Sequence, residues 1–196
     1  MRCQLPRHPR TRRPAAAVAA SVLTTVAAAA AVLPSAATAG PGGCANAATA
    51  AAVAPSPPMS EAVRCLVNGI RSAHGLRELR PSERLKSAAE RHGADMVRRQ
   101  YFDHDSPGGR SVTDRVRSTG YLRGAGDWAL GEDLGWGTGD LSTPAAIVQA
   151  WMDSPPHRAV ILNRRYREAG VGIVHGTPVP GTAGGATFVL DVGVAH

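Results

Sequence analysis

Two histidines and a glutamate, in three separate segments, are the residues of this chain best suited to chemistry. His104 and His157 lie in stretches rich in turn-forming residues, and Glu132 directly follows a glycine. Imidazole nitrogen is a good ligand for zinc, and a carboxylate nearby can act as a general base. Loops anchored to a scaffold are where functional sites concentrate. We therefore expect these three side chains to share one polar site.

His104 is framed on both sides by residues that fix its backbone. Tyr101 and Phe102 precede it and are expected to anchor the end of a helix, and the Ser-Pro-Gly-Gly sequence at 106–109 is a strong turn signal. A histidine held in this way is fixed at its base and exposed at its tip. The alternative is a turn histidine that bonds only to local backbone.

His157 lies three residues after Ser154, and this spacing allows two interpretations. A serine–histidine pair would point to a hydrolase. Alternatively, Ser154 caps a short helix whose first position is Pro155, since proline there needs such a cap. We favour the cap, because Ser154 also lacks the glycine-flanked turn of common serine hydrolases.

Glu132 and its neighbour Asp133 are the acidic candidates. The flanking glycines, Gly131 and Gly135, would let backbone or a ligand approach closely, and a surface acid in a loop is the alternative. The sequence contains no His-Glu-x-x-His and no paired Cys-x-x-Cys. Any metal site must therefore be assembled by the fold from distant segments.

Helical patterns come first in the chain and strand patterns come late. Apolar spacing and capping residues predict helices from Ser60 to Gly75, from Pro81-Ser82 to about Gln100, over 112–119, from Thr143-Pro144 and from Ser154-Pro155. His92 falls on the apolar stripe of the second helix and is interpreted as a packed core histidine. Strands are predicted at 170–174 and 186–192, joined as a loose hairpin, with a third near Glu132. This order indicates an α+β fold.

The first 39 residues have the pattern of a secretory signal peptide. A basic start precedes an Ala-rich apolar run over 15–33, and Ala37-Thr38-Ala39 forms a cleavage signal. An uncleaved anchor is the alternative, which the weak hydrophobicity and the cleavage signal disfavour. Residues 40–58 are expected to be a flexible leader rich in Ala, Pro and Gly. Residues 59–196 are expected to form one domain with no membrane-spanning segment.

The charge of the chain depends strongly on the predicted signal peptide. The whole sequence carries +7, from 22 basic and 15 acidic residues. Removing the five arginines of residues 1–39 leaves 17 basic and 15 acidic residues, a net charge of +2. The high basicity therefore gives no reason to expect a nucleic-acid partner.

Two cysteines, Cys44 and Cys65, remain after the predicted cleavage. Export permits a disulfide between them, which would pin the leader to the first helix. Two separate thiols are the alternative.

Several segments resemble those of one known family, in order and spacing. They include Phe102-Asp103-His104-Asp105-Ser106-Pro107, Asp114-Arg115, Gly131-Glu132, Trp151-Met152-x-Ser154-Pro155-x-His157-Arg158, Ile161-Leu162-Asn163 and Gly170-Val171-Gly172. From about residue 62 to 194 the chain is similar to bacterial members of the CAP superfamily, which groups cysteine-rich secretory proteins, antigen 5 and plant pathogenesis-related proteins.

This resemblance implies a three-layer α-β-α sandwich with a central antiparallel sheet. It also implies a cleft with two histidines and two acids, sometimes around a divalent metal, and His104, Glu132 and His157 fall on three of those positions. Ser154 stands where eukaryotic members have the fourth acid, and Asp133 follows Glu132 where the family has asparagine. A metal, zinc first, would be held by His104 and His157 with Glu132 as the third ligand, in an open site of modest affinity.

Three classes of function follow for a secreted, extracellular or envelope-associated protein of a bacterium. The first is a binding module for a lipid, a glycan or a wall component. The second is a metal-dependent hydrolase in which Glu132 is the base. The third is a signalling or defence ligand for a protein partner. Whether the protein is an enzyme stays open, because a fold does not determine an activity.

Overall fold

The structure is a computed structural model, and it describes residues 43–51 and 56–196. The predicted signal peptide, residues 1–39, lies outside the described residues. So do residues 40–42 and 52–55 of the predicted leader.

Within the described residues, five α-helices form the outer layers, and most begin where the capping residues predict. They are α1 (Ser56–Ala73), α2 (Glu83–Arg99), α3 (Val112–Ser118), α4 (Pro144–Asp153) and α5 (Pro155–Ile161). Ser82 accepts a hydrogen bond from the Leu85 backbone N–H and caps α2, and Thr143 caps α4 in the same way. The predicted start of α1 at Ser60 is wrong by four residues. Prolines at 57 and 58 fit the first turn, where backbone N–H groups have no helical partner.

In the part of the chain that the structure describes, four strands form one sheet in the order β1-β3-β4-β2. They are β1 (Arg80–Pro81), β2 (Trp128–Gly137), β3 (Glu168–His175) and β4 (Ala186–Ala195). The three long strands pair antiparallel, and the two-residue β1 pairs parallel with β3, so the sheet is mixed. The α+β prediction is confirmed. Strand β2 lies at the edge of the sheet, which matters for the site below.

Alternating side chains divide the core between the two faces of the sheet. On one face, Val171, Phe188 and Leu190 pack with α1 and with Trp151 of α4. On the other face, Leu134 and Val189 pack with Ala89 and Met96 of α2. The sheet therefore lies between helical layers, as the resemblance implies.

Gly170 and Gly172 of β3 allow α2 to lie directly on the sheet. A Cβ atom added to Gly170 would lie 1.9 Å from the Lys86 backbone nitrogen, and one added to Gly172 would lie 2.4 Å from that of Glu90. Neither distance leaves room for a side chain. The Gly-Val-Gly sequence is therefore a close-packing requirement that fixes α2, and with it His92, against the sheet.

The prediction of a flexible leader over 40–58 does not hold for residues 43–51. Ala47 and Ala51 are buried, and the Ala51 N–H donates to the Ser142 carbonyl. A disulfide joins Cys44 to Cys65 of α1, which confirms the bridged alternative. Small side chains that bury little surface alone are here held by a covalent tie and backbone hydrogen bonds. Among the described residues, no helix is long and apolar enough to cross a membrane.

Candidate functional site

The imidazole of His104 rests on the carboxylate of Glu132. Nδ1 of His104 lies 2.8 Å from Oε1 of Glu132, and donates to it because an ionised carboxylate can only accept. The histidine side chain is 54% exposed, whereas that of the glutamate is 2% exposed. The local backbone is held as the sequence predicts, since the turn after His104 is closed by the Gly109 N–H donating to the Ser106 carbonyl. The other ring nitrogen, Nε2, is therefore the one left for a ligand.

Arg115 of α3 holds the second oxygen of Glu132. Its Nη2 lies 2.7 Å from Oε2, and its Nη1 donates to the backbone carbonyls of His104 and Arg110. One guanidinium thus ties the buried acid to the loop that carries the histidine. Burial alone would raise the pKa of Glu132, but the hydrogen bond from His104 and the charge of Arg115 outweigh it and lower that pKa. The hydrogen bond to Glu132 in turn raises the pKa of His104.

His92 of α2 completes the surroundings of Glu132. It is fully buried, as its place on the apolar stripe predicts, and its Nε2 lies 3.0 Å from the Asp103 carbonyl oxygen. The same nitrogen lies 3.9 Å from Oε1 of Glu132. Burial lowers the pKa of His92, so the neutral ring acts as a fixed dipole between the loop and the acid.

No role at the site is predicted for Arg115 from the sequence, and His92 is predicted only to pack in the core. Val112, Arg115 and Val116 have i, i+3, i+4 spacing, which places the arginine on the buried face of α3. A charged residue at a buried helical position needs a partner. The spacing on α3 therefore indicates an acidic partner close to Arg115.

Asp191 of β4 lies directly across from Glu132 of β2 in the antiparallel register. Directly paired residues point to the same face, so two acidic side chains share the layer beneath α2. Asp191 is 1% exposed, and burial together with the negative charge of Glu132 raises its pKa well above the ordinary value. The pKa of Asp191 is therefore shifted upward while that of Glu132 is shifted downward, so Asp191 takes up a proton before Glu132 as pH falls.

Asp133 occupies the opposite face of the strand from Glu132, because adjacent residues alternate. It is fully buried, and neither carboxyl oxygen has a hydrogen-bond partner among the described residues. Burial raises the pKa of Asp133 to about 8, while the nearby charge of His104 lowers it. Because β2 is the edge strand, side chains from its two faces can interact around the edge.

His157 is in the first turn of α5, close enough for the charge of His104 to affect it. Burial, and then that charge, lowers the pKa of His157, whose Nδ1 is buried without a partner in the described part of the chain. Ser154 occupies the cap position of α5, but its side chain makes no capping hydrogen bond. The predicted side-chain cap is therefore absent, and the start of α5 rests on the prolines at its first positions.

A three-ligand metal site is not preformed by the predicted residues. Within residues 43–51 and 56–196, no group of three His, Cys, Asp or Glu side chains is arranged to hold one ion. Both oxygens of Glu132 are already engaged by His104 and Arg115. What remains for a metal is Nε2 of His104 and the ring of His157. Glu132 would orient the first of these from behind, as carboxylates commonly do for metal-binding histidines.

An apolar cavity of about 510 Å³ lies between α1 and α4, away from these residues. Leu66, Ile70 and Val148 are among the residues that line it, beside the Cys44–Cys65 bridge. None of its lining residues belongs to the predicted cleft. The polar site around His104 and this apolar cavity are therefore separate features.

Comparison with known proteins identifies the family of this domain. The CAP family model, described as the cysteine-rich secretory protein family, matches residues 65–190. The uncharacterized protein YkwD of Bacillus subtilis (strain 168) is 37% identical over 109 residues, which cover 56% of this chain and 40% of YkwD. This chain thus spans less than half the length of that curated relative.

Two solved structures share the fold. An extracellular protein containing a SCP domain from Bacillus anthracis strain Ames matches with a TM-score of 0.54 and 25% identity, over 71% of this chain and 43% of that one. An outer surface protein from Borrelia burgdorferi matches with a TM-score of 0.61 and 17% identity, over 73% of this chain and 97% of that one. The second likeness shows the fold alone. With the family match over residues 65–190, these findings show that the chain belongs to the CAP family, the cysteine-rich secretory protein family.

Proposed function

We propose that this protein is an extracellular or envelope-associated binding protein whose cleft around His104 holds a polar ligand, a glycan or a wall component. The observation that carries the proposal is the 2.8 Å contact between His104 and Glu132, with Arg115 on the other oxygen. It makes the buried acid a support for the exposed imidazole.

The engagement of Glu132 favours binding over hydrolysis. A general base works best when its pKa lies near the working pH, and the pKa of Glu132 is lowered instead. Its two oxygens accept from a histidine and an arginine, so neither is directed at an incoming water. A carboxylate in this state can orient His104 but is a weak proton acceptor.

The protonation of the cleft favours a ligand rich in hydrogen-bond acceptors. The hydrogen bond to Glu132 raises the pKa of His104, so the charged ring, which donates from both nitrogens, persists to higher pH than it would in a free imidazole. Hydroxyl, amide and carboxylate oxygens of a glycan or a wall polymer suit such donors. The apolar cavity is lined by none of the cleft residues, which argues against a lipid chain beside His104.

The proposed location rests on the signal-like residues 1–39 together with one relative. The matching protein from Bacillus anthracis is described as extracellular. An outer location would place the cleft in contact with wall material.

Sedimentation with insoluble peptidoglycan tests the proposal. We expect the wild-type protein to sediment with peptidoglycan without releasing soluble fragments. His104→Ala should weaken binding about tenfold, the effect of losing one charge-assisted hydrogen bond. His175→Ala, which removes an exposed histidine from the end of β3, is the matched control and should bind normally.

Two outcomes would contradict it. Release of soluble fragments that stops in Glu132→Gln would establish the hydrolase instead. Absence of both sedimentation and fragment release would reject peptidoglycan as the ligand.

A further inference from the structure

A second cavity, of about 530 Å³, lies between α2 and the segment that leads into α3. Its lining contains five arginines and one acid: Arg91, Arg98, Arg99, Arg110, Arg115 and Asp95. The chain after residue 39 has 17 basic residues against 15 acidic ones and is almost neutral. Nearly a third of those basic residues therefore line one cavity. Neither His104 nor Glu132 is among its lining residues.

Part of this positive charge is already compensated. Glu132 pairs with Arg115, and Asp95 contacts both Arg98 and Arg99. One aspartate cannot neutralise two guanidinium groups. It also accepts a hydrogen bond from the Tyr101 hydroxyl at 2.8 Å.

Two arginines of the cavity, Arg91 and Arg110, have no acid within ion-pair distance among the described residues. Arg91 is held on its own helix by the carbonyl and hydroxyl of Ser87, and neither it nor Arg110 forms an ion pair in the described part of the chain. The hydrogen bonds from Ser111 lower the pKa of Asp114 most, and the charges of Arg117 and Arg110 lower it further. We assign Asp114 to Arg117, with which it forms an ion pair at 3.8 Å. Counting Asp95 against one of its two arginines leaves about three uncompensated positive charges on the cavity.

Arg115 adds a buried guanidinium to the wall of this cavity. Its side chain is 5% exposed, and its Nε has no hydrogen-bond partner among the described residues although both terminal nitrogens are engaged. A buried N–H without a partner costs about 1–3 kcal/mol.

We propose that the cavity between α2 and α3 binds a phosphomonoester, with Arg91 and Arg110 as its main cationic contacts and the buried Arg115 in its wall. Guanidinium groups match the planar pairs of oxygen atoms on phosphate and carboxylate. The uncompensated positive charge favours phosphate over carboxylate, because a doubly charged phosphomonoester balances it better than a singly charged carboxylate. The cavity is also larger than one phosphate needs, which leaves space for the group that bears it.

Calorimetric titration of the purified protein with inorganic phosphate and with glucose 6-phosphate tests this site. Unphosphorylated glucose is the ligand control. We expect wild type to bind both phosphates, and Arg91→Gln/Arg110→Gln to bind them at least about tenfold more weakly, since each charge-assisted contact contributes about that factor. Both side chains are exposed, and circular dichroism will verify that the variant is folded.

Arg84→Gln/Arg123→Gln is the matched control, because it also removes two exposed positive charges but outside the cavity. This variant should change the affinity for phosphate by less than about twofold, because salt screens charges that lie outside the cavity. Equal weakening in both double variants, or no binding by wild type, would overturn the proposal. His104→Ala removes none of the cavity arginines and should leave phosphate binding unchanged, which separates this proposal from the polar cleft although Arg115 contributes to both sites.

Phosphatidylcholine vesicles with and without phosphatidic acid identify the source of the phosphate. Binding that requires phosphatidic acid and is lost in Arg91→Gln/Arg110→Gln would assign a lipid headgroup. Binding of glucose 6-phosphate without vesicle binding would assign a soluble phosphomonoester. If the wild-type protein binds neither ligand, the proposal is wrong.

Discussion

The imidazole of His104 is exposed to solvent while its partner Glu132, 2.8 Å away, is buried. This pair joins an exposed hydrogen-bond donor to a buried acid. The acid is fixed in place because Arg115 donates to its other carboxylate oxygen, Oε2. The pKa of Glu132 is lowered in the folded protein, so this residue stabilises the fold above about pH 4.3, its unfolded pKa. That stabilisation is lost as pH falls through the folded pKa. The pKa of His104 is raised in the folded protein, so this residue stabilises the fold below about pH 6.5, its unfolded pKa. That stabilisation is lost as pH rises through the folded pKa.

The two cleft histidines should titrate in a defined order. Glu132 raises the pKa of His104, whereas burial and the charge of His104 lower that of His157. Titration followed by NMR of the ring protons should therefore place His104 above about 6.5 and His157 below it. Single His→Ala variants provide the resonance assignments. The reverse order would contradict the ion pair at the centre of the site.

Arg115 should be essential for stability because it compensates a buried charge. Arg115→Met retains the length of the side chain but leaves Glu132 without its cation, and we expect a loss of about 3–5 kcal/mol in the free energy of unfolding. Arg117→Met, on the same helix and at an exposed ion pair with Asp114, should change it by less than about 1 kcal/mol. Urea denaturation measures both.

A compensating variant separates charge from packing. Adding Glu132→Gln to Arg115→Met removes the uncompensated charge, and part of the lost stability should return. If the double variant is as unstable as the sum of the two single losses, then the guanidinium acts mainly through packing.

Asp133 should make the protein less stable as pH rises. Its pKa is about 8 when folded and about 3.9 when unfolded, so between these values the folded state binds the additional proton. Stability then falls by about 1.4 kcal/mol per pH unit across that window. Asp133→Asn has no such proton to lose. In urea denaturation, its free energy of unfolding relative to that of wild type should therefore be higher at about pH 8 than at about pH 5. Asp153→Asn, at an exposed position, should show no such difference.

The helices and the strand that carries Glu132 were predictable because their signals are local. The cap Ser82 and the Thr143-Pro144 pair specify helix starts within a few residues of sequence. Contacts that join distant segments have no local signal. The ion pair of Arg115 with Glu132 spans 17 residues, and the pairing of Glu132 with Asp191 depends on the register of β2 against β4. The packing of residues 43–51 was missed for the same reason, since Ala51 is held by Ser142.

Close packing of α2 on β3 should make Gly170 intolerant of any side chain. Gly170→Ala would place a Cβ atom 1.9 Å from backbone of α2, so the helix must move, and we expect a loss of several kcal/mol or failure to fold. Gly69→Ala is the matched control, because nothing lies within 4 Å of its added Cβ in the middle of α1. It should stabilise the protein by up to about 1 kcal/mol. Thermal unfolding of both variants checks the prediction, and equal melting temperatures would contradict it.

Zinc should bind the cleft weakly, and through His104 first. Its Nε2 and the ring of His157 are the available nitrogens, while Glu132 is engaged behind the first ring. Calorimetry should show zinc binding that His104→Ala abolishes and His175→Ala retains. Glu132→Gln, which disturbs the support of the ligand, should weaken it by about 10–100-fold. Ligating histidines must be neutral, and the pKa of His104 is raised. Zinc affinity should therefore begin to fall already above about pH 6.5 as the solution is acidified. Equal binding by wild type and His104→Ala, or affinity that does not change with pH, would contradict a metal role for this imidazole.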